Sequence, residues 1–130
     1  MAIEVGLTAS GFFTVGDADT AVALGSGDVP VLGTPRLIAW AEAVTVRALG
    51  GHIADDATTV GTRVELDHVA PSVVGTDVTV EVVLSAVDGR NLHFEVHAWQ
   101  GQDVTIGRGN VARVLVGREK FLGRLRGDST

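Results

Sequence analysis

Four positions in this chain are out of keeping with their neighbours, and each of them could do chemistry. Glu42 lies at helical spacing from Pro35, Ile38, Ala39, Val46 and Leu49, so its carboxylate projects from an apolar face. Burying an unpaired carboxylate is expensive, so the group must be paired, hydrogen-bonded or protonated. That is the condition of a general acid or base, and equally of a structural acid tied to an Arg or to backbone. His68 continues the inward row Val60, Val64 and Leu66 and ends it just before Pro71. It is either a general base at a strand end or a satisfied core or interface histidine. Thr34 precedes Pro35, the pairing of an N-cap with a proline at the first helical position. A hydroxyl there also sits beside unpaired N–H groups and the positive end of the helix dipole, the features that stabilise a developing oxyanion. Gly61 interrupts a strand, which marks either a bulge or the close approach of something such as an acyl group.

Other reactive residues fall into no working pattern. His93 and His97 lie opposite the apolar row Leu92, Phe94 and Val96, and His52 is in a loop. No metal-ligand spacing is present, so no metal is expected. Gly107-Arg108-Gly109 lacks the following helix of a phosphate loop, and there is no Gly-x-Ser-x-Gly elbow. With no cysteine, disulfides, thiolate zinc sites and Cys nucleophiles are excluded.

The elements that must position these residues are legible. Thr34-Pro35 starts a helix and Gly50-Gly51 stops it. Leu37 to Val44 is apolar nearly all round, the mark of a helix buried on most sides. Before it, Ser10 to Val15 and Val22 to Leu24 are predicted as short strands. After it come four strands: Thr59 to Ala70, Thr76 to Val87, Asn91 to Trp99 and Val104 to Val116. Asp88-Gly89 and Gly101-Gln102 turn the chain, and Gly107 and Gly109 mark a bulge or a close approach. In the first of these strands Val60, Thr62, Val64, Leu66, His68 and Ala70 share one face. The segment Arg124 to Thr130 is polar and predicted to fray. One apolar helix followed by antiparallel strands with short connections predicts an α+β hotdog fold: a curved antiparallel sheet, read as a meander, wrapped around one long buried helix. Residues 1–130 form a single domain in this reading. A lone sheet of this kind leaves an edge and a helix flank uncovered, so a homodimer completes it.

The chain is 130 residues long, with 10 basic against 16 acidic side chains and a net charge of −6. That charge disfavours nucleic acid and anionic membrane surfaces as partners. No apolar run reaches the roughly 20 residues of a membrane span, and Met1 to Gly6 shows no secretory pattern, so a cytoplasmic location is expected.

Three blocks resemble hotdog thioesterases of the fluoroacetyl-CoA thioesterase type. The first runs from Val31-Leu32-Gly33-Thr34-Pro35 to Ala41-Glu42-Ala43. The second runs from Gly61-Thr62-Arg63-Val64 to His68-Val69-Ala70-Pro71. The third joins Asp88-Gly89-Arg90, Ile106-Gly107-Arg108-Gly109, Arg113 and Glu119-Lys120-Phe121. The resemblance implies hydrolysis of an acyl-CoA thioester, with Thr34, Glu42 and His68 as the catalytic set and Gly61 beside the acyl group. It implies no cofactor beyond the coenzyme A of the substrate. The lid phenylalanines of the fluoroacetyl-specific enzyme have no counterpart around Gly25 to Asp28, so a general short- or medium-chain acyl group is the implied substrate. His68 would act as general base, with Thr34 or a water as nucleophile. Arg36, Arg63, Arg90, Arg108, Arg113 and Lys120 are available to the phosphates of coenzyme A. Two other readings stand beside this one: a hotdog hydratase or dehydratase, and a non-catalytic module that binds an acyl thioester as sensor or assembly domain.

Overall fold

The structure is a computed structural model and describes residues 3–127. The elements are β1 (Thr8–Thr14), a 3-10 turn (Asp17–Asp19), α1 (Ala21–Leu24), α2 (Thr34–Leu49), β2 (Ala57–His68), β3 (Asp77–Asp88), β4 (Asn91–Gln100), β5 (Val104–Gly117) and α3 (Arg118–Leu125). All strands pair antiparallel in one sheet of order β1-β3-β4-β5-β2. Long α2 lies against this sheet, the hotdog arrangement. Leu37, Trp40, Ala41, Val44, Ala48 and Leu49 of α2 are buried against Val78, Val80, Val82, Leu84, Leu92, Phe94 and Val96 of the sheet. Phe13 of β1 stacks on Trp40 with ring centroids 4.6 Å apart. Each buried aliphatic side chain contributes about 1.5–3 kcal/mol by leaving water, so this contact dominates the stability.

Several sequence expectations are corrected. Only β3, β4 and β5 form a meander. The residues after β2 cross over, through the bridge Val31 to Val73, to place β3 on the far side of β4 and β5. Both β1 and β2 are therefore edges. Val22 to Leu24 belongs to a short helix instead of a strand, because the Thr20 hydroxyl accepts from Ala23 N at 3.2 Å and caps it. The segment from Arg118 to Leu125 is helical, so the predicted frayed tail begins later; residues 128–130 lie outside the described ones. Helix α2 is buried on one side only: Ala39, Ala43 and Val46 are exposed.

The inward face of β2 is also corrected. Its register against β5 shifts between Gly61 and Arg63, making Thr62 a bulge. One extra residue inverts the alternation upstream of it. Gly61 therefore shares the helix-facing side with Val64, Leu66 and His68, whereas the sequence placed Val60 and Thr62 there. Gly109 on β5 meets the close approach expected of it. A Cβ there would collide with the Glu65 carbonyl and lie 2.8 Å from Leu66 Cα.

Candidate active site

Thr34 and His68 meet. The first turn of α2 and the last residue of β2 bring Thr34 Oγ1 and His68 Nδ1 to 2.7 Å. Thr34 is the first helical residue, not the cap; Gly33 takes the cap position with no side-chain hydrogen bond. The hydroxyl is spent on the imidazole instead of on the helix. His68 Nε2 is buried and has no hydrogen-bond partner among the described residues. Burial pushes the His68 pKa below its ordinary 6.5, with the Ala70 backbone pulling the other way to a smaller extent. The ring is thus held neutral near pH 7, with one nitrogen on a hydroxyl: a nucleophile and base within hydrogen-bond reach.

This pair opens into a cavity of about 350 Å³. Its wall combines apolar side chains from α1, the loop before α2 and the segment after β2, among them Val29, Val31, Leu32, Val69 and Ala70. Ser26, Gly27 and Asp28 form the polar part of the same wall. The helix start offers fewer N–H donors than the sequence suggested. Pro35 has none, and the Arg36 and Leu37 amides both donate to the Gly33 carbonyl, at 3.0 and 3.2 Å.

Glu42 and Gly61 form a second group. Glu42 Oε2 accepts from Arg113 Nη1 at 3.2 Å, and a Cβ on Gly61 would collide with that same oxygen. Arg113 also donates to the Thr59 hydroxyl (2.8 Å) and the Thr59 carbonyl (3.1 Å). The guanidinium is nearly buried (8% exposed) and the carboxylate partly so (36%). The anomaly read at Glu42 thus has its partner, and the partner is the residue the sequence misplaced. Arg113 was counted among surface charges available to coenzyme A, yet it lies inside. The bulge at Thr62 aligns Gly61 with Arg113 across β2 and β5. One signal was available: Arg113 keeps the alternation of buried Val111 on β5. Arg36 and Arg63 are engaged as well, with Asp19 at 2.8 Å and Glu65 at 2.6 Å.

Within one chain the two groups stay apart. Thr34 and Glu42 are eight residues apart on α2, about 12 Å along the axis at 1.5 Å per residue. No hydrogen bond or ion pair among the described residues joins Glu42 to Thr34 or His68. The three residues expected to act as one catalytic set thus lie in two separate groups within one chain. His93 and His97 are exposed on the outer face, as expected, and no group of metal-ligating side chains is found among the described residues. No described helix is long and apolar enough to cross a membrane.

Comparisons with known proteins agree with this architecture. The family model for the fluoroacetyl-CoA-specific thioesterase, FlK, matches residues 15–119. The fluoroacetyl-CoA thioesterase of Streptantibioticus cattleyicolor is 32% identical over 96 residues, covering 74% of this chain and 68% of that protein. A solved structure of the fluoroacetyl-CoA thioesterase FlK superimposes with a TM-score of 0.89 at 28% identity, covering all of both chains. A variant of that enzyme in complex with acetyl-CoA matches with the same TM-score, at 27% identity over 96% of this chain and 98% of that one. A thioesterase superfamily member from Thermus thermophilus, 22% identical, shares the fold with a TM-score of 0.89 over 96% of this chain and 92% of its own. Because the family model spans residues 15–119 and the Streptantibioticus cattleyicolor enzyme is 32% identical over 74% of this chain, the chain belongs to the fluoroacetyl-CoA-specific thioesterase (FlK) family.

Proposed function

We propose that this protein hydrolyses short- or medium-chain acyl-CoA thioesters, with Thr34, Glu42 and His68 as its catalytic set and Gly61 beside the acyl group. The observation that carries the reading is the 2.7 Å contact of the Thr34 hydroxyl with a half-buried imidazole at a cavity that also offers valine, leucine and alanine side chains. Family membership supplies the class of bond. The Thr34 oxygen bonds the thioester carbon as its proton passes to His68 Nδ1. The C–S bond then breaks, and the leaving thiolate takes that proton. A water repeats the sequence on the acyl-threonine, its proton going to His68 and then to the departing Thr34 oxygen, which releases the free acid. The fluoroacetyl group of the relatives is not carried over, because the Ser26-Gly27-Asp28 wall holds no aromatic side chain.

A homodimer completes this site. β2 is an edge strand with an open hydrogen-bonding side, and beside it α2 exposes Ala39 and Ala43, small enough for a close helix approach. A two-fold axis near Ala39 and the middle of β2 lays the Thr34/His68 end of one protomer against the Glu42/Gly61 end of its partner. Glu42 of the partner then balances the imidazolium formed during the reaction.

Hydrolysis is tested by incubating the protein with an acyl-CoA panel and a thiol reagent. Free CoA released with turnover is expected, and His68→Ala should lower it by about 10²–10⁴, the usual worth of a general base. Tight binding without release would favour a sensor module. Full activity in a folded His68→Ala variant would remove His68 from the mechanism.

A further inference from the structure

We propose that Asp28 selects the acyl group: its carboxylate turns away thioesters whose acyl chain ends in a second carboxylate and leaves neutral chains free to enter. The inference rests on the hydrolytic reading above and assigns that site its substrate charge. Among the residues lining the Thr34/His68 cavity, Asp28 and His68 are the only ionisable ones, and no Lys or Arg is present. Asp28 has no hydrogen-bond or ion-pair partner among the described residues, so its charge is uncompensated within the chain. The chain is anchored two residues before it: Ser26 N donates to the Ala21 carbonyl at 2.9 Å and Gly25 N to the Val22 carbonyl at 3.2 Å.

The same charge orients the substrate. From this chain the phosphates of coenzyme A would meet an acid and no cation at this opening, whereas an uncharged acyl chain meets valine, leucine and alanine. The acyl half therefore occupies this cavity, and the nucleotide half leaves by another side of the site. Asp28 is exposed, so its repulsion is screened. Two unit charges about 6 Å apart discriminate by roughly threefold at the dielectric of water and roughly tenfold at about half that dielectric.

Butyryl-CoA and succinyl-CoA test this, since both carry four-carbon acyl groups and differ in the terminal carboxylate. The measurement is the ratio of their kcat/KM values for the wild type, Asp28→Asn and Asp28→Lys, at low and at high salt. The expected result is a ratio favouring butyryl-CoA that falls by about three- to tenfold in Asp28→Asn, falls further in Asp28→Lys, and shrinks in the wild type as salt rises. Hydrolysis of butyryl-CoA with a ratio indifferent to the charge at position 28 overturns the assignment and leaves the hydrolytic reading standing. Release of CoA from neither thioester, nor from the wider panel, overturns the hydrolytic reading and this one with it.

Discussion

Replacing Gly61 with alanine perturbs the Glu42–Arg113 pair selectively. The new methyl would collide with Glu42 Oε2 and sit 3.3 Å from Arg113 Nη1. Restoring ordinary contact requires the carboxylate to withdraw by about 1 Å, a misplacement that typically costs an active site about 10²-fold. The oxygen is the far end of a flexible side chain, so the fold yields cheaply, but withdrawing it stretches the bond to buried Arg113. A fully buried pair broken this way costs about 3–5 kcal/mol. With Glu42 36% exposed, solvent takes up much of that, leaving about 0.5–1.5 kcal/mol. At this chain length that is roughly a 2–8 °C drop in Tm. The assay is a double-mutant cycle with Glu42→Ala, reading Tm and kcat/KM for an acyl-CoA. Because the methyl collides with the Glu42 carboxylate, Gly61→Ala should cost almost nothing in the Glu42→Ala background. Additive losses in both readouts would show that the methyl clashes elsewhere, and the placement of Glu42 against β2 would be wrong.

Four further outcomes are expected. Since burial lowers the His68 pKa, the acid limb of kcat/KM should have its midpoint below 6.5; a midpoint at or above 6.5 would contradict a desolvated base. The same shift makes the unfolded chain bind more protons just below 6.5. His68's contribution is thus fully present above 6.5 and lost as pH falls through the folded value, so between pH 7.5 and 5 the wild type should lose more Tm than His68→Gln. Arg113→Met removes three hydrogen bonds around Thr59 and Glu42; a loss of about 1–3 kcal/mol is expected by denaturant titration, and an unchanged midpoint would place the guanidinium in solvent. Gly109→Ala drives a methyl into the backbone of β2, where nothing can rotate aside, so a loss above about 3 kcal/mol or insoluble expression is expected. A wild-type Tm would show that the strands are less closely apposed there.

The local elements were legible because their signals are local. Thr34-Pro35 and Gly50-Gly51 bracket α2 to within a residue, since starts and stops depend on dihedral preferences a few residues long. Alternation placed β3 and β4 because each buries every second residue on one face over most of its length, Val78 to Leu84 and Leu92 to Ala98. The 3-10 turn and α1 were obscured by a weak, glycine-rich pattern, and α3 by its polar composition. The bulge at Thr62 was invisible because one unpaired residue leaves no compositional trace, yet it reversed the faces of Thr59 and Gly61.

By itself, the order of side chains determined one apolar helix, a valine-rich sheet, and an acid, an imidazole and a hydroxyl in places where burial makes polar groups expensive. Tertiary structure decided which of them touch. It paired Thr34 with His68 because β2 ends over the first turn of α2, and it gave Glu42 to Arg113 because the bulge turned Gly61 inward. It also held these two pairs about two turns apart on a single helix. Distances between residues remote in sequence depend on strand order and register, and those are settled by packing the whole core at once, which no local pattern records.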